Sequence, residues 1–407
     1  MTRFLLSFLA LASLLCAAPY HPTDPLAIPG FVDFYNSQYD EAYAYFKADL
    51  RAHPDDPDSY NHLAQTILYR ELFRDGALES EMVSGSNPFL HSPKLSISPQ
   101  AKAEFIACIE RSLQLSGAAL EKDPDDVHAW YSSGVAHGLR ANYAFLIEKA
   151  WIESLREAAA SNKANKRVLS LQPQFTDSRL VVGLYEYAVG NLPFYMRMLG
   201  VVGGFHGNKG GGIRQLQDVA QHGTLNKYDA QIILAVIYRR EHHPELALPL
   251  LQRASSQFPG NYLFRLEQVQ MYTDLGDKTA ALQELAELDH LCSVDAPGYE
   301  TLCGGQTAYL RGNLLFWYGD FDHALVNLQQ ATAAAPTLNL NTVVLSWLRL
   351  GQTYDLQKNH RAAVVAYKEV IATAPQSTIA NEASRYINNP YHRKEKKPDG
   401  LDKARVT

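Results

Sequence analysis

The glycine-rich stretch GGFHGNKGGG at 203–212 is the first place where chemistry could reside. A Walker-type phosphate loop requires G-x4-G-K-[ST], with a glycine before the lysine and a hydroxyl residue after it. Here Asn208 precedes Lys209, and Gly210 follows it. A dinucleotide fingerprint also requires a preceding strand, and no strand pattern is present. We therefore expect a flexible turn and no phosphate site.

Histidines and carboxylates form a second group of chemically capable residues. Glu241, His242 and His243, with Glu245 nearby, fall in a turn between two predicted helices, where adjacent side chains point in different directions. His128 and His137 lie nine residues apart on one predicted helix, which is not a ligand spacing. No H-E-x-x-H motif or serine nucleophile elbow occurs. We expect no catalytic residue, no metal and no cofactor, and therefore not an enzyme.

The N-terminus, MTRFLLSFLALASLLCAAPY, has one arginine, an apolar run, small residues and then Pro19. This is the pattern of a secretory signal peptide, and the run is too short to predict a membrane-spanning helix. We expect residues 1–18 to be a signal peptide and the protein to be exported, periplasmic or extracellular. An uncleaved anchor is the alternative. A lipoprotein acylated at Cys16 is disfavoured because Leu15 stands where a small residue is preferred.

Export changes how the cysteines are interpreted, because disulfides persist in oxidising compartments. Cys292 and Cys303 bracket a loop that contains Pro297 and Gly298. A disulfide between them would add roughly 2–3 kcal/mol in the chain-entropy model. Two reduced thiols are the alternative. Cys108 lies on a predicted helix, and we expect it to pack as a small hydrophobic residue.

A helical repeat must position all of these residues. Near the C-terminus, eight residues stand at the spacing of the pattern W-x2-L-G-x2-Y, then A-x3-F, then P. They are Trp347, Leu350, Gly351, Tyr354, Ala363, Tyr367, Val370 and Pro375. These offsets are those of the tetratricopeptide repeat. They predict two short antiparallel helices that touch at small residues and are closed by a proline. Such a unit cannot bury its apolar face alone, so it needs neighbours.

The same pattern recurs upstream. Tyr238 and Tyr272 are 34 residues apart, as are Ala247 and Ala281, which is the period of this repeat. The residues that we expect to pack helix against helix are Gly134, Gly183, Tyr238, Ala247, Tyr272, Ala281, Gly312, Ala324, Trp347, Gly351, Tyr354, Ala363 and Pro375. In-register matches over most of the chain favour one continuous body.

We predict an all-α fold, a right-handed α-solenoid of about seven to eight stacked antiparallel helix pairs, over residues 19–390. Long loops are expected at 74–100 and 191–211, and a long helix from Tyr143 towards Gln172. A final helix, Thr378 to Ile387, should cover the last apolar face. Residues 391–407 are charged and lack apolar periodicity, which predicts a disordered tail. The net charge of −6 disfavours nucleic acid as a partner.

The chain also resembles a group of exported bacterial tetratricopeptide-repeat proteins, through LYRELFRDGALES at 68–80, YAFLIEKAW at 143–151 and GLYEYAVGNLP with GFHGNKGGGIRQL at 183–216. The resemblance implies that the second, fifth, ninth, twelfth and thirteenth residues of each first helix face a partner. The partner-binding candidates on that basis are Arg239, Arg240, Asp274, Tyr309, Asn313 and Trp317. Alternatively, the two arginines form a solvated helix end and Trp317 belongs to the core.

These observations predict a non-catalytic scaffold in the cell envelope that binds a protein or peptide. Its membrane proximity would come through envelope partners. The alternative is a small-ligand or glycan-binding module that uses the aromatic-rich region 130–205. The sequence does not identify the partner or the oligomeric state.

Overall fold

The computed structural model describes residues 20–78, 97–191, 207–299, 302 and 304–393. Within these residues the chain is all-α, as predicted, with seventeen α-helices and no strand. In chain order the helices are α1 Pro29–Tyr35, α2 Tyr39–Ala52, α3 Pro57–Arg74, α4 Pro99–Lys122, α5 Val127–Leu146, α6 Trp151–Leu171, α7 Arg179–Gly190, α8 Lys209–His222, α9 Lys227–Arg240, α10 Pro244–Gln257, α11 Tyr262–Leu275, α12 Lys278–Ser293, α13 Gly304–Trp317, α14 Phe321–Ala333, α15 Leu340–Leu356, α16 His360–Thr373 and α17 Thr378–Asn388.

Each helix packs on the next one along the chain, which gives eight pairs from α1/α2 to α15/α16. The helix α17 packs on α16 and covers the last pair, as predicted. We call the first helix of each pair its A helix and the second its B helix. Among the helices of the described residues, none combines the length and apolarity that a bilayer crossing requires.

Small residues let the two helices of a pair approach closely. Ala247, Ala281, Ala324 and Ala363, which stand at the same place in four B helices, are completely buried. On the A helices, a methyl group at Gly351 would lie 2.5 Å from the ring of Tyr367, and one at Gly312 would lie 2.7 Å from Leu328 Cγ. At Gly134 it would lie 2.4 Å from Asn165 Nδ2. These positions therefore fix how near the two axes come.

The repeat tyrosines join each pair to the one before it. The hydroxyl oxygen of Tyr238 accepts a hydrogen bond of 2.8 Å from Gln217 Nε2, on the preceding B helix. Tyr272 accepts from Gln252 (3.0 Å) and Tyr354 accepts from Gln329 (2.9 Å) in the same way. Trp347 is half-buried against the last cluster of apolar residues. Pro375 is exposed in the turn after α16.

The glycine stretch is not a flexible turn over its described part, because α8 begins at Lys209, within the predicted loop 191–211. Gly212 lies on the first turns of α8 against α7. A methyl group at Gly212 would lie 2.4 Å from the carbonyl oxygen of Gly183, and one at Gly183 would lie 2.8 Å from that of Gly212. The glycines thus bring two helix backbones into contact. Residues 192–206 lie outside the described part.

The predicted long helix from Tyr143 towards Gln172 is wrong, since α5 ends at Leu146 and α6 begins at Trp151. Lys149 adopts a left-handed φ of 55° in the turn between them. The amide of Glu148 donates to Tyr143 O (3.2 Å), and that of Ala150 donates to Ala144 O (2.8 Å). These bonds satisfy carbonyls at the end of α5 and reverse the chain, as at other helix C-termini.

Several predictions fall on residues outside the described part. Residues 1–18 and 79–96, the latter within the predicted loop 74–100, cannot be compared with the structure. Cys303 is also outside it, so the disulfide with Cys292 stays a prediction. The sulfur of Cys292 lies 3.7 Å from the carbonyl oxygen of Leu302. Cys108 is buried on α4, as expected.

The N-terminal helices pack against the second half of the solenoid. The ring of Tyr35, at the end of α1, stacks on Phe258 at a centroid distance of 4.8 Å. Asn261 Nδ2 donates to Tyr35 O (3.0 Å), and the amide of Gly260 donates to Asn36 Oδ1 (2.9 Å). The first pair therefore lies against the junction between the fifth and sixth pairs.

The close contact of α7 and α8 can be tested with Gly212→Ala. The added methyl group would meet backbone atoms that cannot rotate away, so we expect the free energy of unfolding to fall by about 1–3 kcal/mol. Gly117→Ala on α4 is the control, because a methyl group there meets nothing within 4 Å. Helix propensity alone should make that variant more stable by about 0.5–1 kcal/mol. Denaturant unfolding measures the free energy of unfolding of both variants. If both substitutions increased it equally, the backbone contact at Gly212 would be refuted.

Candidate functional site: the face of the A helices

The two predicted partner-binding arginines have different surroundings. Arg239 Nη1 lies 2.7 Å from Glu267 Oε2, and each side chain is only 16% exposed. This ion pair joins α9 to α11, so Arg239 is occupied within the protein. Arg240 is exposed on the same helix, and Asp274 is exposed near the end of α11. Of these three, Arg240 and Asp274 are accessible to a partner.

The three candidates on α13 lie together. Tyr309 and Asn313 are buried, and Trp317 is half-buried. Asn313 Oδ1 and Trp317 Nε1 are buried polar atoms without a hydrogen-bond partner among the described residues. Such atoms are uncommon and require an explanation. They are one acceptor and one donor, one turn apart on α13.

A segment of the chain itself covers part of this face. The guanidinium of Arg349, on α15, stacks on the ring of Trp317 at 4.7 Å. The amide of Tyr391 donates to Asp355 Oδ2 (2.7 Å). Arg393 donates to the carbonyl oxygens of Phe316 (3.4 Å) and Trp317. The first three residues of the predicted disordered tail, 391–393, are therefore packed on α13 and α15.

Asp355 organises this end of the molecule. Its buried carboxylate accepts hydrogen bonds of 2.7 Å from Tyr367 Oη and from the amide of Tyr391. His360 Nδ1 lies 2.7 Å from the same carboxylate, and His360 Nε2 lies 3.1 Å from the carbonyl oxygen of Ile387. Only an imidazolium can donate from both nitrogens. The bond to Asp355 raises the pKa of His360 above its usual value.

A second cluster of residues surrounds the N-terminal segment. The sequence patterns did not predict this cluster. The amide of Tyr20 donates to Gln172 Oε1 (3.1 Å), and Gln172 Nε2 donates to Tyr20 O (2.9 Å). The ring of Tyr20 stacks on His128 at 4.8 Å and lies 5.5 Å from Phe175. His128 is the second residue of α5, and the second residue of a first helix is one of the positions that the repeat resemblance assigns to a partner. This offset was the signal that the sequence contained. His137, on the same helix, pairs with Glu157 (2.7 Å).

His128 and Asp58 form an ion pair beside that ring. His128 Nε2 lies 2.8 Å from Asp58 Oδ2, and Ser132 Oγ donates to Asp58 Oδ1 at 2.5 Å. Burial alone would raise the pKa of Asp58, but the hydrogen bond and charge of His128 hold it below its usual value. Burial likewise opposes the charge on His128, yet Asp58 raises its pKa. The ion pair therefore offsets the cost of burial for both charged forms.

In the described residues, one group of side chains could supply three ligands to a metal ion, namely Asp56, Asp58 and His128, whose ligand atoms lie within 4.8 Å of one another. Asp56 Oδ1 accepts from the amide of Asp58 (3.0 Å) at the start of α3. Asp58 is occupied by His128 and Ser132. These contacts describe an ion pair and a helix cap, and they account for the cluster without an ion.

The Glu241 cluster also has an internal role. Glu241 Oε1 accepts from Tyr187 Oη (2.8 Å), and Glu241 Oε2 pairs with Lys209 Nζ. These contacts tie the end of α9 to α7 and α8. His243 Nδ1 lies 3.0 Å from Glu245 Oε1 at the surface. His242 has a left-handed φ of 60° in the turn.

Two further carboxylates lie at the start of A helices: Asp177 is in the short 3₁₀ helix Thr176–Ser178 just before α7, and Asp229 is the third residue of α9. Asp177 is buried and accepts from the amides of Thr224 (3.0 Å) and Asn226 (2.8 Å), although burial still raises its pKa. Asp229, on α9, accepts one bond of 3.1 Å from Tyr35 Oη. Burial raises the pKa of Asp229 to about 6, against that single stabilising bond. The single hydrogen bond from Tyr35 therefore offsets only part of the cost of burying the charged Asp229 carboxylate.

The His360 contact predicts a pH-dependent stability. Because the folded-state pKa lies above the unfolded value of about 6.5, its contribution is complete below that pH and is lost as pH rises through the folded-state pKa. We expect His360→Asn to lower the melting temperature more at pH 5.5 than at pH 8.5. The exposed His290→Asn on α12 is the control. An equal loss at both pH values would contradict the imidazolium assignment.

The raised pKa of Asp229 predicts how removal of its charge changes the stability of the protein. Its folded-state pKa lies above the unfolded value, so ionisation costs stability above pH 6, and the cost disappears as pH falls towards 4. Asp229→Asn should raise the free energy of unfolding at pH 7.5, by at most about 3 kcal/mol, and should add nothing at pH 4. Asp55→Asn, at an 88% exposed side chain, is the control. A loss at pH 7.5 would refute the assignment.

Comparisons with known proteins found one family model and several solved structures. Residues 232–296 match the family model described as tetratricopeptide repeat. Solved structures that align with the chain include the hetero-tetramer Cut9-Hcn1 of APC/C (12% identity, TM-score 0.49, 88% of this chain and 54% of that chain) and yeast Tom70 (13%, 0.42, 90% and 88%). A tetratricopeptide repeat protein from Parabacteroides merdae also aligns (10%, 0.32, 78% and 96%).

The chain spans about half the length of the Cut9-Hcn1 chain that it matches. No curated protein matches the sequence significantly. The family match covers α10, α11 and α12 together with most of α9, and the packing alanines and tyrosines of these helices stand at the repeat offsets. The same offsets recur on helices outside the matched region. The match over residues 232–296, together with these recurring contacts, supports assignment of the chain to the tetratricopeptide repeat superfamily.

Proposed function

We propose that the protein is a non-catalytic scaffold of the cell envelope whose A-helix face binds an extended segment of a partner protein. The observation that carries this proposal is that side chains on or beside the A helices already bind backbone groups of the same chain. Asp355 lies on the A helix α15, and Gln172 directly follows the B helix α6, next to the start of the following pair. Gln172 pairs with both backbone groups of Tyr20, and Asp355 accepts from the amide of Tyr391. Tetratricopeptide repeats typically hold protein or peptide partners.

Rigidity supports the same proposal. The A helices are held by packing glycines and by hydrogen bonds between pairs, so a bound segment would meet groups that are already in place. Arg240 is exposed on α9 and accessible to such a segment. The envelope setting depends on the signal peptide expected at 1–18.

The aromatic residues of 130–205 support the ligand-binding alternative less well. Tyr143 is buried and stacks on Phe105 at 4.6 Å, as part of the core. Trp151 is 54% exposed at the start of α6, with its ring edge-on to Phe145. These contacts form helix packing and one exposed ring. We therefore retain the scaffold as the proposed function.

Site-specific photocrosslinking tests the scaffold. A photoreactive phenylalanine analogue at position 240 would face a partner, whereas one at position 326, where Val326 is 62% exposed on the B helix α14, would not. After irradiation of intact cells and envelope fractionation, we expect a discrete crosslinked species in the envelope fraction at position 240 and none at 326. Equal crosslinking at both positions, or recovery outside the envelope, would contradict the proposal.

A further inference from the structure

The backbone of Tyr20 is held in a way that does not depend on its side chain. Gln172 offers its carbonyl oxygen to the Tyr20 amide and its NH₂ group to the Tyr20 carbonyl, at 3.1 and 2.9 Å. A side-chain amide has one donor group and one acceptor, so it can satisfy both backbone groups of one residue in an extended segment. Gln172 itself is only 7% exposed, which fixes its orientation.

The side chain of Tyr20 lies in an aromatic pocket. His128 stacks on one side of the ring at 4.8 Å with an interplanar angle of 27°. Phe175 and Tyr131, both buried, lie at centroid distances of 5.5 and 6.3 Å. Ring contacts of this kind stabilise an aromatic residue more than an aliphatic one of similar size. The pocket therefore selects for a flat ring.

The far end of the pocket is acidic. Tyr20 Oη lies 3.5 Å from Asp58 Oδ2, which is at the limit of a hydrogen bond. Asp56 and Asp58 both lie near this end, so a phosphate on the ring would meet two carboxylates. The pocket thus accepts tyrosine and disfavours its phosphorylated form.

Most contacts that shape the pocket do not involve Tyr20. Ser132 and His128 hold Asp58, Asn226 Nδ2 donates to Tyr131 Oη (2.9 Å), and Tyr131 packs edge-on to Phe175 at 5.1 Å. The segment that carries Tyr20 is loosely attached by comparison, because His21, Thr23 and Asp24 are exposed. The pocket would persist if Tyr20 left it.

We propose that this pocket recognises an unphosphorylated tyrosine within an extended segment of a partner protein, and that the N-terminal segment of the chain occupies it in cis. The proposal rests on the scaffold function and names the class of partner sequence. It predicts that the N-terminal segment and a partner compete for one site, so emptying the pocket should strengthen binding in trans.

Fluorescence anisotropy with short labelled peptides tests this competition. The probe is the chain's own sequence PYHPTD at 19–24, with two companions that carry alanine or phosphotyrosine in place of tyrosine. We expect full-length Tyr20→Ala to bind the tyrosine peptide at least tenfold more tightly than the wild type does. The alanine and phosphotyrosine peptides should bind this variant at least tenfold more weakly than the tyrosine peptide.

A second substitution assigns the binding to the pocket. Gln172→Ala in the Tyr20→Ala background should lower the affinity for the tyrosine peptide at least tenfold. Gln174→Ala, at an exposed residue of the same turn, should leave that affinity unchanged. Circular dichroism and melting temperature confirm folding of each variant. Equal affinities of wild type and Tyr20→Ala, or of the three peptides, would overturn the proposal.

The outcome is separable from that of the scaffold test. Crosslinking at position 240 without discrimination among the peptides would refute the tyrosine pocket and support the scaffold function. Selective peptide binding without crosslinking at position 240 would support the pocket and refute partner binding along the wider A-helix face.

Discussion

The close approach of paired helices at glycine and alanine is the contact on which the rest of the structure depends. No pair can bury its apolar face alone, so the spacing within a pair determines where the next pair can pack. At Gly183 and Gly212 the spacing is set by backbone against backbone, and at Gly351 by the buried ring of Tyr367. Interdigitated packing of this kind leaves little freedom. The A-helix face is consequently a rigid surface whose side chains are held at fixed separations.

That rigidity explains why the ends of the chain matter. The first pair lies against the junction of the fifth and sixth pairs through Tyr35 and Asn261, more than two hundred residues apart in sequence. The N-terminal segment reaches Gln172, and the C-terminal segment reaches Asp355. Both segments use backbone groups to bind side chains near the A helices. The surface that we propose for a partner is therefore one that the protein already uses to bind its own extended chain.

The sequence predicted the local part of this architecture and not its long-range part. Residues such as Ala363 and Gly351 were recognisable because a repeat imposes fixed offsets on neighbouring helices. The glycines before Ile213 were misread because a helix packed backbone to backbone has the same composition as a turn. The pairing of Tyr20 with Gln172 joins residues 152 apart, and no local pattern encodes such a contact. The repeat offsets assign His128 to a partner-facing position, but its partner Asp58 was not foreseen.

Carboxylates lie at the start of three A helices, and they limit what this end of the face can bind. Asp58 is the second residue of α3, Asp229 is the third residue of α9, and Asp177 lies two residues before α7, near helix N-termini where the backbone dipoles favour an anion. The negative charge of each carboxylate is stabilised by a different partner. Asp58 pairs with His128, Asp177 accepts from backbone amides, and Asp229 accepts from one tyrosine hydroxyl. Since the helix ends and these internal partners leave little further positive charge, an additional anion would meet repulsion. We therefore expect a segment that enters along this edge to place neutral or basic residues beside these carboxylates, as the chain's own segment does with Tyr20 and His21.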